Sequence, residues 1–195
     1  MDLRIIIAGG LAATFAESIS MGAVAYTSTV ARRDHYDSER QREMREMRDL
    51  PEIERAEVRE ILARWGFEEP ELTQMLDHIV SKEKAWLEIM MAHELNLAPV
   101  DDAQPRKSAV LVGLSAVIGS VVPLAPFFVP GLSIWDAILV ALVVSAVTLF
   151  VVGYYKAKAT VGHAGRSGVQ MTVIGIVSAL AGFAIGYLFS VPGAA

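Results

Sequence analysis

The sequence predicts an all-α protein, in which an integral membrane helix bundle carries an inserted cytoplasmic domain of three helices. Hydrophobic residues make up 53% of the 195 residues, and the mean hydropathy of +0.43 is too high for a typical soluble protein. Residues 32–107 contain all but three of the 22 acidic residues and all but four of the 17 basic ones. The predicted domains are therefore a first membrane span at 1–31, a water-soluble helical domain at 32–107, and three further spans at 108–195.

The composition argues against several classes of protein. The soluble segment is acidic, whereas phosphate binding needs a basic face, so a nucleic-acid partner is not predicted. There is no cysteine, which excludes a disulfide framework, a thiolate zinc site and thiol catalysis. The four histidines make no HxxxH or HExxH pattern, and no Glu-x-x-His pair indicates a di-iron carboxylate enzyme. We therefore predict a protein that is not an enzyme and that binds cations.

The first apolar run, residues 3–31, exceeds the roughly 20 residues that a membrane-spanning helix needs. It is too long for a signal peptide and contains Glu17. Glu17 and Met21 are four residues apart and share a helix face, and a carboxylate at membrane depth is a candidate functional residue. We assign both to a transport path. The alternative is a buried carboxyl group that is protonated or hydrogen-bonded between helices.

The soluble segment is predicted to form three helices. The first continues out of the membrane span to about Asp49. Pro51 opens the second, and Gly66 ends it. One side of the second helix is apolar: Ile53, Val58, Ile61, Leu62 and Trp65. The third region covers about residues 70–97, with a break at Ser81.

Three further apolar runs follow a polar linker. They cover about residues 108–129, 134–155 and 169–189. Lys and Arg are concentrated in residues 32–107 and in the 156–166 loop, and cytoplasmic loops carry such an excess. We therefore expect both basic segments to be cytoplasmic and both chain ends to lie on the opposite side of the membrane.

The candidate metal ligands lie in the soluble segment. They are two glutamate pairs on either side of Pro51, followed by a methionine pair and a further glutamate: Glu43, Glu46, Glu54, Glu57, Met90, Met91 and Glu94. An i, i+3 spacing places each glutamate pair on one helix face. Carboxylates with thioethers nearby suit iron(II) or manganese(II), and a thioether favours iron(II) over calcium or magnesium. The alternatives are a solvated helix with Glu–Arg pairs and methionines that only fill a core. Glu39 and Glu60 could extend the metal site as further ligands, but we rank them below these seven residues.

These residues, with several others, carry a resemblance to a known family. AESISM in the first span is followed by Tyr26, Ser28 and RRDHY, and the glutamates and methionines follow in order. A PLxP element begins at Pro123, LFVVGYYKAK ends the next span, and the last helix is rich in glycine. The chain thus resembles, over essentially its whole length, the vacuolar iron transporter family of divalent-metal/proton exchangers, including its bacterial members.

The resemblance implies the function and the partners. The implied function is transport of iron(II) or manganese(II) out of the cytosol in exchange for protons. The implied protein is a homodimer in a lipid bilayer of the bacterial inner-membrane type, and it needs no prosthetic group. Two departures stand out. The family normally has five membrane helices, and this chain resembles it from the second onward. Val24 and Ala25 replace a frequent Gly-Glu pair. The alternative function is therefore a membrane-anchored metal-binding or scaffold protein without transport.

Overall fold

The computed structural model describes residues 3–160 and 162–189. These residues form helices and connecting turns, with no strand among them, so the predicted all-α class is confirmed. The helices are α1 (Leu3–Asp49), α2 (Pro51–Arg64), α3 (Glu71–Val80), α4 (Glu83–Ile89), α5 (Gln104–Leu124), α6 (Ile134–Ala159) and α7 (Ala164–Leu188). A π-helical turn, Met90–Glu94, follows α4, and a 3₁₀ turn, Ala125–Phe128, follows α5. Residues 1, 2, 161 and 190–195, which the predicted domains include, lie outside this description.

The chain forms two compact units. One, here called the membrane-span unit, combines the residues up to Met21 with those from Val112 onward. The other, here called the charged unit, covers Gly22–Leu111. Helix α1 contributes to both, and each unit is described separately below.

Within the described residues, four helices are long and apolar enough to cross a membrane. They are α1, α5 with its 3₁₀ turn, α6 and α7, as the four apolar runs predict. Large apolar side chains such as Phe183 and Leu188 are 72% and 77% exposed in the single chain. This exposure fits helices whose surfaces face lipid or another apolar partner.

Helices α6 and α7 pack closely because each has a glycine at the contact. A Cβ atom on Gly153 of α6 would lie 2.7 Å from the backbone oxygen of Ser167 and 2.9 Å from the Cα of Gly168 on α7. The hydroxyl of Thr172 also donates a hydrogen bond to the carbonyl of Ala146, at 3.3 Å. Small residues commonly allow such backbone approach between membrane helices. Helix α6 continues beyond the predicted end at residue 155, and α7 begins before the predicted start at residue 169, because polar residues extend each helix.

The charged unit has its own hydrophobic core. Met47 comes from α1, and the other core side chains come from α2, α3, α4 and the π-helical turn: Val58, Leu62, Leu72, Leu76, Trp86, Leu87, Met90 and Met91. The predicted helix start at Pro51, the glycine end at Gly66 (φ +92°) and the break at Ser81 are confirmed.

The prediction was wrong for two residues that were assigned to the apolar side of α2. Ile53 is 53% exposed and Trp65 is 50% exposed, although both were assigned to the apolar side. The buried positions of α2 are Glu54, Val58, Ile61 and Leu62, which follow the i, i+4, i+7, i+8 spacing of one helix face. Ile53 falls beside that face and Trp65 lies past the last helical residue.

Candidate metal centre

The inward faces of α1 and α2 each include a glutamate where an apolar residue would be expected. On α2, Glu54 occupies the first buried position, one turn before Val58. On α1, Glu43 precedes the core residue Met47 by four residues, so the two share a face. Glu43 is 1% exposed and Glu54 is 4% exposed. The fold therefore draws two carboxylates from successive helices into the interior of the charged unit.

Five carboxylates meet at this point, and we call them the acidic cluster: Glu43, Glu46, Glu54, Glu57 and Glu94. They form two groups of three that share Glu54. In the first group, ligand oxygens of Glu43, Glu46 and Glu54 all lie within 4.8 Å of one another. In the second, ligand oxygens of Glu54, Glu57 and Glu94 meet the same limit. This spacing allows three oxygens to reach one metal ion.

Three of these carboxylates have a buried oxygen without a hydrogen bond. The Oε2 atoms of Glu43, Glu54 and Glu94 accept none from the described residues. Leaving a buried acceptor unpaired costs about 1–3 kcal/mol, and more when the group is charged. Cations bound by the two ligand groups would offset that cost.

Burial and mutual repulsion raise the pKa values of the cluster. Burial, followed by the charges of Glu57 and Glu43, raises the pKa of Glu54 to about 8. Burial, followed by the charges of Glu57 and Glu43, likewise raises the pKa of Glu94 to about 7. Burial and the charge of Glu46 also raise the pKa of Glu43. Near neutral pH the cluster therefore retains protons, and a divalent cation binding there would displace them.

The π-helical turn carries Glu94 into the second group. Its widened geometry is visible in the bond from the amide of Leu95 to the carbonyl of Met90, five residues earlier, at 3.1 Å. Met90 and Met91 on this turn are 0% and 3% exposed and belong to the hydrophobic core. Their packing is thus established, and metal ligation by their sulfur atoms stays a prediction.

Arg42 also contacts the acidic cluster, although it was not among the predicted site residues. Its guanidinium contacts Glu39, Glu43 and Glu46, at 3.0, 3.5 and 3.4 Å. The i, i+3 and i, i+4 spacing to Glu39 and Glu46 was a visible signal, but it has the same form as an ordinary surface ion pair. Glu60 is exposed and joins neither group of the cluster.

The two predicted transport-path residues belong to the membrane-span unit. Glu17 accepts a hydrogen bond at 3.3 Å from the hydroxyl of Ser120 on α5. Met21 is 46% exposed. Ser120 was not predicted, because a lone serine in an apolar run carries no signal of its own. The geometry brings Glu17 to a polar partner on another helix.

Comparison with known proteins identifies the family of this chain. The model of the VIT family matches residues 1–187. Vacuolar iron transporter 1 of Arabidopsis thaliana is 33% identical, over 93% of this chain and 72% of the relative. Vacuolar iron transporter 2 of Oryza sativa subsp. japonica is 35% identical, over 92% of this chain and 72% of the relative. Protein CCC1 of Saccharomyces cerevisiae is 26% identical, over 91% of this chain and 58% of the relative. The chain belongs to the VIT family.

Proposed function

We propose that this protein transports iron(II) or manganese(II) across a membrane, out of the cytosol and in exchange for protons. The observation that carries the proposal is the acidic cluster, with its three buried and unpaired carboxylate oxygens. Family membership supports it, because relatives at 33–35% identity are named as vacuolar iron transporters.

The donor set supports a divalent transition metal. Carboxylate oxygens suit manganese(II) and iron(II), and thioethers add preference for the softer ion. We assign the five carboxylates as ligands of metal collected from the cytosol, with Met90 and Met91 as additional sulfur donors. The charged unit would then capture the ion and raise its local concentration.

Proton exchange has a physical basis in the same groups. Carboxylates that hold protons near neutral pH must release them when a metal ion binds. Within the membrane-span unit, Glu17 would accept either the metal ion or a proton, with the hydroxyl of Ser120 beside it. Met21 would supply a thioether one turn away on the same helix.

We further propose the placement of the protein. Residues 32–107 face the cytoplasm of a bacterial-type inner membrane, because positive residues accumulate in cytoplasmic loops. The exposed apolar side chains of α5, α6 and α7 would be covered by lipid and by a second copy of the chain in a homodimer.

The direct test is metal uptake into proteoliposomes that contain the purified chain, with and without an imposed pH gradient. We expect manganese(II) movement that depends on the gradient and falls sharply in Glu17→Gln. Asp136→Asn is the matched control, because Asp136 is also a carboxylate of the membrane-span unit, but its partner is the hydroxyl of Ser133, the N-cap residue of α6, which donates a hydrogen bond to it. Equal uptake by Glu17→Gln and the wild type would remove Glu17 from the path.

A second function is favoured by one observation: the acidic cluster is complete within Gly22–Leu111. Metal binding there requires no transport, so the chain would act as a membrane-anchored metal-binding or scaffold protein. Uptake would then be absent from proteoliposomes. Metal binding would persist in the wild type and disappear when Glu43, Glu46, Glu54 and Glu57 are all changed to alanine.

A further inference from the structure

Arg42 places a positive charge against the part of the acidic cluster that a cation would occupy. Its Nη2 atom lies 3.0 Å from Oε2 of Glu39 and 3.5 Å from Oε1 of Glu43. Its Nε atom lies 3.4 Å from Oε2 of Glu46. Glu43 and Glu46 belong to the first ligand group, whereas Glu39 belongs to neither group. One guanidinium therefore bridges ligand carboxylates and a carboxylate outside the ligand set.

We propose that Arg42 is a built-in counter-ion of the acidic cluster, displaced by an incoming metal ion onto Glu39, and that this displacement limits metal affinity. The inference rests on the proposed metal binding at the cluster. An arginine and a glutamate outside the ligand set would then determine how tightly the ion is held.

The competition follows from shared atoms and from charge. A metal ion bound by Glu43 and Glu46 would need the carboxylates that Arg42 now contacts, and the ion would carry like charge within a few ångströms of the guanidinium. The remaining ligand atoms favour the metal ion, because Oε2 of Glu43 and Oε2 of Glu54 are buried and unpaired. Arg42 does not satisfy these oxygens, so it neutralises the cluster only in part.

Glu39 provides the displaced guanidinium with an ion-pair partner. It is the closest of the three partners of Arg42 and lies three residues earlier on α1, on the same helix face. Glu39 belongs to neither ligand group, so its carboxylate is not one that a metal ion in the cluster would occupy. Arg42 can therefore release Glu43 and Glu46 while it keeps one ion pair.

Such a counter-ion suits a protein that must release what it binds. A site on a transport route has to bind an ion well enough to admit it and weakly enough to let it leave. Five carboxylates without a nearby cation would hold a divalent ion more tightly. Arg42 moderates that affinity without removing a ligand.

The first experiment titrates the full-length chain in detergent with manganese(II) at pH 8, with the free ion followed by electron paramagnetic resonance. We expect Arg42→Gln to bind manganese(II) roughly three- to tenfold more tightly than the wild type, since a half-exposed charge at this distance is partly screened. Arg42→Lys keeps the charge and should stay close to the wild type. Arg59→Gln is the control, because it removes an equal charge from an ion pair with Glu69, outside the cluster.

Unchanged or weaker binding by a folded Arg42→Gln variant would overturn the inference while leaving the proposed metal binding intact. A wild-type chain that binds no manganese(II) would overturn the metal binding itself, and the inference with it. Thermal melting of each variant distinguishes a change in affinity from a loss of fold.

Glu39→Gln supplies a second test that leaves Arg42 in place. It should weaken manganese(II) binding several-fold more than Glu60→Gln, which removes an equal charge from an exposed position on α2. The loss caused by Glu39→Gln should also shrink in the Arg42→Gln background, because no guanidinium then needs a partner. Equal losses from Glu39→Gln and Glu60→Gln would overturn the role of Glu39.

Discussion

Glu43 on α1 and Glu54 on α2 bring carboxylate oxygens within 4.8 Å of each other, although both side chains are almost completely buried. Two carboxylates at this separation repel each other, and the repulsion grows as water is excluded. A proton or a cation between the two groups would relieve this repulsion. Stability, pH and metal binding are therefore linked in the charged unit.

Glu54 belongs to both ligand groups, so its replacement should affect metal binding most. We expect Glu54→Gln to weaken manganese(II) binding by at least tenfold, since one carboxylate is lost from each group. The fold should survive, because glutamine has nearly the same shape and avoids an uncompensated buried charge. Isothermal titration of the full chain measures the effect. Glu60→Gln, on the same helix but exposed, should bind as the wild type does, and a similar loss in both variants would contradict this assignment.

The metal-free protein should become less stable as the pH rises from about 4.5 to 8. The folded-state pKa values of Glu54 and Glu94 are about 8 and about 7, both raised from the ordinary 4.5. Across this range the unfolded chain releases protons that the folded chain retains, so the free energy of unfolding falls with increasing pH. Below about pH 4.5 both states are protonated and the contribution is complete.

Thermal unfolding with a chelator, measured between pH 5 and pH 8.5, tests this dependence. Glu54→Gln should flatten the profile, because it removes a group whose pKa is raised to about 8. Saturating manganese(II) should restore stability at pH 8. A melting temperature that rises with pH in the metal-free wild type would refute the assignment.

The close contact of α6 and α7 should tolerate no side chain at Gly153. We expect Gly153→Ala to destabilise the helix pair by about 1–3 kcal/mol, as overpacking of a tight contact does. A Cβ there would approach backbone atoms of Ser167 and Gly168, which have little room to move. Gly182→Ala is the matched control on α7, where nothing lies within 4 Å of the added atom. Thermal stability in detergent should fall for the first variant and stay constant or rise slightly for the second.

The sulfur atoms of the π-helical turn are tested by a volume-conserving change. Met91→Leu should alter the free energy of unfolding by less than about 1.5 kcal/mol. We expect iron(II) binding to weaken more than manganese(II) binding, because thioethers prefer the softer ion. Unchanged affinity for both metals would restrict Met91 to packing in the core.

Much of the fold could be predicted from the sequence because its signals are local. Apolar runs of sufficient length identify the four candidate spans, and Pro51 and Gly66 mark the ends of α2 through their own backbone preferences. The end of α6 and the start of α7 were less accurate, because a helix does not stop where its apolar run stops. The start of α6 was predicted at the right residue, and the hydroxyl of Ser133 accepts the amide hydrogen of Asp136 there.

The candidate site could be predicted in composition but not in arrangement. The i, i+3 spacing groups Glu43 with Glu46 and Glu54 with Glu57, yet it cannot distinguish buried from exposed members. Burial depends on how α1 and α2 meet the rest of the charged unit, and this tertiary information is absent from spacing. Arg42 was missed for the same reason, because an ion pair on a helix surface and a counter-ion in a binding site have the same local sequence.

The π-helical turn between Met90 and Glu94 makes the width of a single helical turn a determinant of chemistry. If the same residues tightened into a regular α-helix, with fewer residues per turn, Glu94 would rotate around the helix axis. Glu94 would then turn away from Glu54 and Glu57, although every ligand residue is still present. A homologue with the same acidic residues but a regular α-helix in this segment would keep the motif in its sequence and lose the second ligand group.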